Sequence, residues 1–128
     1  MKSKADKTSE LRARSKVWLE LDGEPVFGDG KADLLETIDK AGSLRAACDV
    51  LGISYRTLWR RLRIMEDRFG VSLVARRVGG ADGGASQLTD AAVQLLDQYR
   101  RFRDGLNGIV DKRFAEVFTP PPPRKNDG

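Results

Sequence analysis

Between Ser43 and Phe69 the chain reads SLRAACDVLGISYRTLWRRLRIMEDRF, two short helical patterns broken by one glycine. Few arrangements satisfy such a segment. Two helices that cross closely need small side chains at the crossing, and Ala47 and Cys48 supply them. The turn between them needs a residue that accepts a left-handed backbone, and Gly52 stands four positions after Cys48. The next residue must plug the core, which suits Ile53, and the second helix needs a capping hydroxyl, which suits Ser54. The spacing therefore predicts a helix-turn-helix, with helices over Leu44 to Leu51 and from Ser54 to about Phe69.

The second of these helices sorts by face. Leu58, Leu62, Met65 and Phe69 recur at helical spacing and form one apolar stripe. Arg56, Arg60 and Arg63 fall on the opposite side, with Tyr55 and Thr57 flanking them near the helix start. An outer face of Arg, Tyr and Thr is what a helix lying in a DNA major groove requires, because Arg can pair with guanine O6 and N7. Arg61, Arg63 and Arg68 lie nearer the flanks or further along and are expected at phosphates, which position without specifying. The competing reading is a solvated arginine face. Trp59 falls between the two faces, and Cys48 and Met65 read as packing residues.

Charge supports the first reading. The net charge is only +4, but residues 54–77 carry seven arginines against two acids, whereas residues 17–53 carry three bases against eight acids. The first 16 residues add six bases against two acids. Positive charge confined to one structured segment and one arm marks a protein that meets a polyanion at a defined place. Enzyme chemistry finds no foothold: there is no histidine, the lone Cys48 is expected to be buried, and a zinc site is close to excluded. No apolar run is long enough for a membrane span, and no signal-peptide pattern opens the chain, so the cytoplasm is the expected location. No cofactor is expected.

The remaining elements follow from local signals. Residues 1–15 are expected to be a disordered basic arm. Lys16 to Leu21 alternates like a half-buried strand, Asp22-Gly23 turns, and Glu24 to Phe27 returns as an edge strand limited by Pro25. A helix with Asp29 or Gly30 as cap should run to Ala41 and stop at Gly42. Leu73 to Val78 and Ser86 to Leu88 read as two strands around the glycine loop of residues 79–84. Thr89 caps a long helix to about Phe118, before a disordered Pro-rich tail over residues 119–128. The fold class is mainly α with short β elements. In the long helix Ala92, Leu95, Tyr99, Phe102, Leu106 and Ile109 alternate steps of three and four, a coiled-coil seam that Leu96 and Val110 broaden. A second copy of the chain is expected to cover it.

This order of elements resembles the N-terminal DNA-binding domain of the molybdate-dependent regulators of the ModE type, relatives of LysR-type regulators. The likeness is carried by GSLRAACDVLGISYRTLWRRLRIME from Gly42 and by LVARRVGGADGGASQLTDAAVQLLDQY from Leu73. Its most specific parts are G-I-S-Y-x-x-x-W at Gly52 to Trp59 and the double-glycine loop before Leu88-Thr89. The resemblance implies a winged helix-turn-helix over residues 16–88 and a dimerisation helix over residues 89–118. It implies base contacts from Tyr55, Arg56, Thr57 and Arg60 and backbone contacts around the reading helix and wing, expected at Ser43, Ser54, Arg61, Arg63, Arg76, Arg77, Gly80 and Gly83. Many members sense molybdate through a further C-terminal domain. The sequence stops at Gly128, so that domain, and molybdate with it, is not expected here. A sequence-specific, homodimeric transcriptional regulator is the expected function. The alternative is an interaction module that pairs with a longer relative through the long helix.

Overall fold

The structure, a computed structural model, describes residues 10–76 and 85–118. Arg77, Gly80, Gly83, the tip of the glycine loop, the first nine residues and the Pro-rich tail lie outside the described residues. The chain divides into two compact units, residues 17–101 and a smaller one that joins residues 10–16 with residues 102–118.

The larger unit opens with the antiparallel strands β1 (Trp18–Leu21) and β2 (Glu24–Gly28). Asp22 and Gly23 turn the chain with φ of 53° and 82°, the left-handed pair that a two-residue hairpin of this hand needs. A bulge between Leu19 and Glu20 shifts the register, so that Glu20 faces Pro25 and Leu19 faces Phe27. Gly28 ends β2 opposite Trp18, and a Cβ there would come within 3.3 Å of the Trp18 Cβ. Glycine lets the hairpin close at that point.

Helix α1 (Asp29–Ala41) follows directly. Its N-cap is Gly28, without a side-chain cap bond, and not Asp29 or Gly30 as expected from the sequence. Asp29 is already inside the first turn, where its charge meets the positive end of the helix. Gly42 takes a left-handed conformation and stops α1. Then come α2 (Leu44–Leu51) and α3 (Tyr55–Phe69), capped by Ser43 and Ser54 and stopped by the left-handed glycines Gly52 and Gly70. Strands β3 (Val74–Arg76) and β4 (Ser86–Leu88) pair antiparallel, Val74 with Leu88 and Arg76 with Ser86. Helix α4 runs Asp90–Val117.

The core of this unit gathers one face from every helix and both hairpins. Leu35, Ile38, Ala47, Leu58, Leu62, Met65 and Leu73 are essentially inaccessible. Fully burying a side chain of this size stabilises the fold by roughly 1.5–3 kcal/mol. Phe27 from β2 sits at the centre, edge-on to Tyr99 of α4 at 5.1 Å and to Phe69 of α3 at 6.2 Å between ring centroids. The Tyr99 hydroxyl donates to Asp29 Oδ1 at 2.6 Å, so the one polar atom of that buried ring has an acceptor.

Here the long-helix seam divides. Ala92 and Tyr99, expected at a dimer interface, are 0% and 2% exposed within the chain's own core, and Leu95 and Leu96 pack against its edge. The first turns of α4 use their apolar face at home, so those two residues are not free for a partner.

In the smaller unit, residues 10–16 carry no regular secondary structure but are tied by side chains. Arg103 donates to Ser15 Oγ at 2.7 Å and to Asn107 Oδ1 at 3.0 Å. Ser15, the last residue of the expected free arm, is therefore bonded to α4. Phe114 and Phe118 stack at 5.1 Å between centroids.

Candidate nucleic-acid interface

The site is built on the α2–α3 corner. Ser43 Oγ accepts the Ala46 N–H at 3.1 Å, and Ser54 Oγ accepts the Thr57 N–H at 3.0 Å, so each helix starts with one of its free donors satisfied. Gly52, at φ 69°, lets both its own N–H and that of Ile53 reach the Cys48 carbonyl, at 2.8 and 3.2 Å. Ala47 and Cys48 are buried at the crossing, and Ile53 packs against the core as a plug. Burial pushes the Cys48 thiol above its ordinary pKa, the reverse of what a reactive thiolate needs.

With its apolar stripe held by the core, α3 presents the other side outward. Arg56, Arg60 and Arg63 are all exposed. Their charges lie close together on a helix whose positive dipole end is also at Ser54, so an anion is favoured there twice over. Arg61 lies on a different flank, beside Trp18 and Ile64 where the first hairpin meets α3. Arg68 is paired with Glu24 of that hairpin.

Two residues expected at bases have other commitments. Tyr55 is half-buried, edge-on to Trp59 at 6.3 Å, with the Arg45 guanidinium 5.0 Å from its ring centroid. Thr57 Oγ1 accepts from the Ser54 hydroxyl at 2.9 Å as part of the cap. Trp59 is half-buried and lines a hollow with Leu44 and Val74, between α2 and the second hairpin. Arg45 escaped the sequence reading. It is one base in an acidic stretch, and its only clue is that Tyr55 lies ten residues on, across the turn. The structure places it on the exposed side of α2 at the entrance to α3.

The wing is anchored at its root. Glu66, on α3, accepts the N–H of Leu73 at 2.9 Å and that of Val74 at 3.4 Å. Thr89 closes the other side: its N–H donates to the Leu73 carbonyl at 3.0 Å and its hydroxyl to the Ser72 carbonyl at 2.7 Å. The Ser86 N–H donates to the Gly42 carbonyl at 2.9 Å, which ties β4 to the α1–α2 turn. Arg76 is in β3, paired with Ser86, and its backbone continues into the loop outside the described residues.

A helix-turn-helix followed by an antiparallel hairpin pinned to its second helix defines a winged helix-turn-helix domain. Residues 31–93 match the family model described as "Bacterial regulatory helix-turn-helix protein, lysR family". The chain is 30% identical over 101 residues to the molybdenum transport protein ModE of Azotobacter vinelandii, covering 79% of this chain and 37% of that protein. It is 35% identical over 77 residues to the transcriptional regulator ModE of Haemophilus influenzae, covering 59% and 30%. The chain thus carries a helix-turn-helix domain related to those of the ModE and LysR regulators, and it spans about a third of the length of these relatives. Among solved structures, the CbnR DBD–DNA complex superposes with a TM-score of 0.51 at 24% identity, over 69% of this chain and 95% of that one. CbnR itself, a LysR family transcriptional regulator, gives 0.50 at 24%, over 70% and 29%. At that identity the likeness is one of fold.

Proposed function

We propose that this chain is a sequence-specific DNA-binding regulator of transcription. The observation that carries the reading is the sorting of α3. Its inner face is core, and its outer face holds Arg56, Arg60 and Arg63 exposed on one side. Arg56 and Arg60 read bases in the major groove, with Thr57 beside them. Arg63, Arg45 and the capped starts of α2 and α3 at Ser43 and Ser54 hold phosphates. Tyr55 keeps Arg45 over its ring and so directs that cation toward the backbone. The wing is rooted on Glu66, and backbone contacts by Arg76, Arg77, Gly80 and Gly83 belong to the same proposal. The names of the relatives support the same reading.

The regulator acts as a homodimer through the later part of α4. Phe102 and Ile109 are 48% and 64% exposed, with Leu106 and Val110 half-buried beside them. Two heads joined this way would read half-sites about one duplex turn apart, roughly 34–36 Å. The same face suits a longer relative's helix equally well. Sedimentation of the purified chain decides between these: a dimer that Phe102→Glu turns into a monomer supports self-association. A wild-type monomer that assembles only with a longer relative supports the second partner.

A further inference from the structure

Away from the outward arginines, a groove of about 420 Å³ lies where the β1–β2 hairpin and α1 meet α3. Its floor is core, since Phe27, Leu34 and Met65 are all buried. Its walls are not: Trp18 is 50% and Ile64 is 51% exposed, two large apolar side chains left open on one small surface. The Trp18 ring is held in place, because its Nε1–H donates to Glu20 Oε2 at 2.9 Å. Lys31 of α1 and Arg61 of α3 complete the lining, and among the described residues no carboxylate lines the groove. Neither cation has an ion-pair partner among the described residues.

We propose that this groove binds a small organic anion with a flat apolar body and one carboxylate. The volume is that of small-molecule sites, which run about 300–1,000 Å³ and combine an apolar lining with a few charged groups that fix orientation. An inorganic anion would gain nothing from Trp18, Ile64 and the Met65 floor. An uncharged apolar molecule would crowd Lys31 and Arg61 without compensating them. An aromatic carboxylate uses both features: its ring lies against the indole, and its carboxylate takes the forked guanidinium of Arg61 or the ammonium of Lys31. Arg61, Ile64 and Met65 all belong to α3, so the bound anion touches the helix that carries the outward arginines without occupying their face. The proposal stands whether or not the chain binds DNA.

The test is titration of the full chain with naphthalene-2-carboxylate, followed by calorimetry and tryptophan fluorescence. Saturable one-to-one binding is expected. It should weaken by about tenfold or more for the uncharged naphthalene-2-methanol, and likewise for the double variant Lys31→Gln, Arg61→Gln, since each removes the charge-assisted contacts. Arg61 is exposed and Lys31 half-buried, and neither belongs to the core, so the variant keeps the core intact. Loss of saturable binding in Trp18→Ala would support the aromatic wall. Absence of saturation up to several millimolar, or equal affinity for the neutral analogue or in the double variant, would overturn the assignment.

Discussion

The Glu66 carboxylate accepts the Leu73 backbone N–H at 2.9 Å, which fastens the outward-facing helix α3 to the first strand of the wing. The bond sets the direction of the wing relative to the arginine face. Its donor belongs to a residue that is itself fully buried, so its loss leaves an N–H without an acceptor. An unsatisfied buried donor costs about 1–3 kcal/mol. Glu66→Ala should destabilise the domain by that amount, and Glu66→Gln by less, because an amide oxygen still accepts. Denaturant unfolding gives the first quantity. Amide exchange at Leu73 and Val74 should accelerate ahead of exchange in α1; unchanged protection there would disprove the anchor.

Ser54 caps α3 with a hydrogen bond to the Thr57 N–H and donates its own proton to the Thr57 hydroxyl. Ser54→Ala should cost about 1 kcal/mol, with Ser54→Asp close to neutral for stability. On DNA the order should change, because the aspartate places a negative charge beside phosphates. A variant that folds as well as wild type and yet binds DNA less well would separate the cap from the contact. Equal DNA affinity for Ser54→Asp and wild type would remove Ser54 from the interface.

Glu36 joins α1 to α4 through Arg100 at 2.7 Å and pairs with Lys40 at 3.3 Å. Hydrogen bonds from Lys40 and then Arg100 hold its carboxyl below its ordinary value of 4.5. A folded pKa below the unfolded one gives stability that is present above the unfolded value and lost as pH falls through the folded one. The melting temperature of wild type should exceed that of Glu36→Gln at neutral pH, and the difference should shrink as the pH falls below the ordinary carboxyl value and through the lowered folded one. A difference that does not change with pH would show that the pair contributes through shape alone.

Much of this architecture is legible in the sequence, and for a local reason. The bounds of α2 and α3 follow from Ser43, Gly52, Ser54 and Gly70, whose chemistry acts on their immediate neighbours. The start of α1 was harder to place. Gly28 is needed by the hairpin, opposite Trp18, and becomes the cap as a consequence. The α4 stripe was misread in part because periodicity says which residues share a face and not what covers it. Ala92 and Tyr99 keep the same spacing as Phe102 and Ile109, yet the first pair meets the chain's own core. Arg45 and the groove beside Trp18 were invisible for a similar reason: both depend on which elements meet, Arg45 with Tyr55 and Trp18 with Ile64.

The exposed arginines of α2 and α3 make separate claims according to position. Arg56→Ala should relax the choice of sequence, with about 1–3 kcal/mol less discrimination at one base pair. Arg45→Ala should weaken binding to all sequences alike and reduce the salt dependence by about one phosphate contact. If Arg56→Ala also loses affinity uniformly, Arg56 holds the backbone and reads nothing.

The central claim, that the outer face of α3 reads DNA sequence, is tested most directly by selecting bound duplexes from a random pool with the purified chain. Selection near physiological salt should enrich a motif, arranged as a pseudo-palindrome if two heads act together, and Arg56→Ala should lose information at one position of each half-site. Recovery of unselected sequence by wild type, with binding that is equal for all duplexes and disappears as salt is raised, would contradict it.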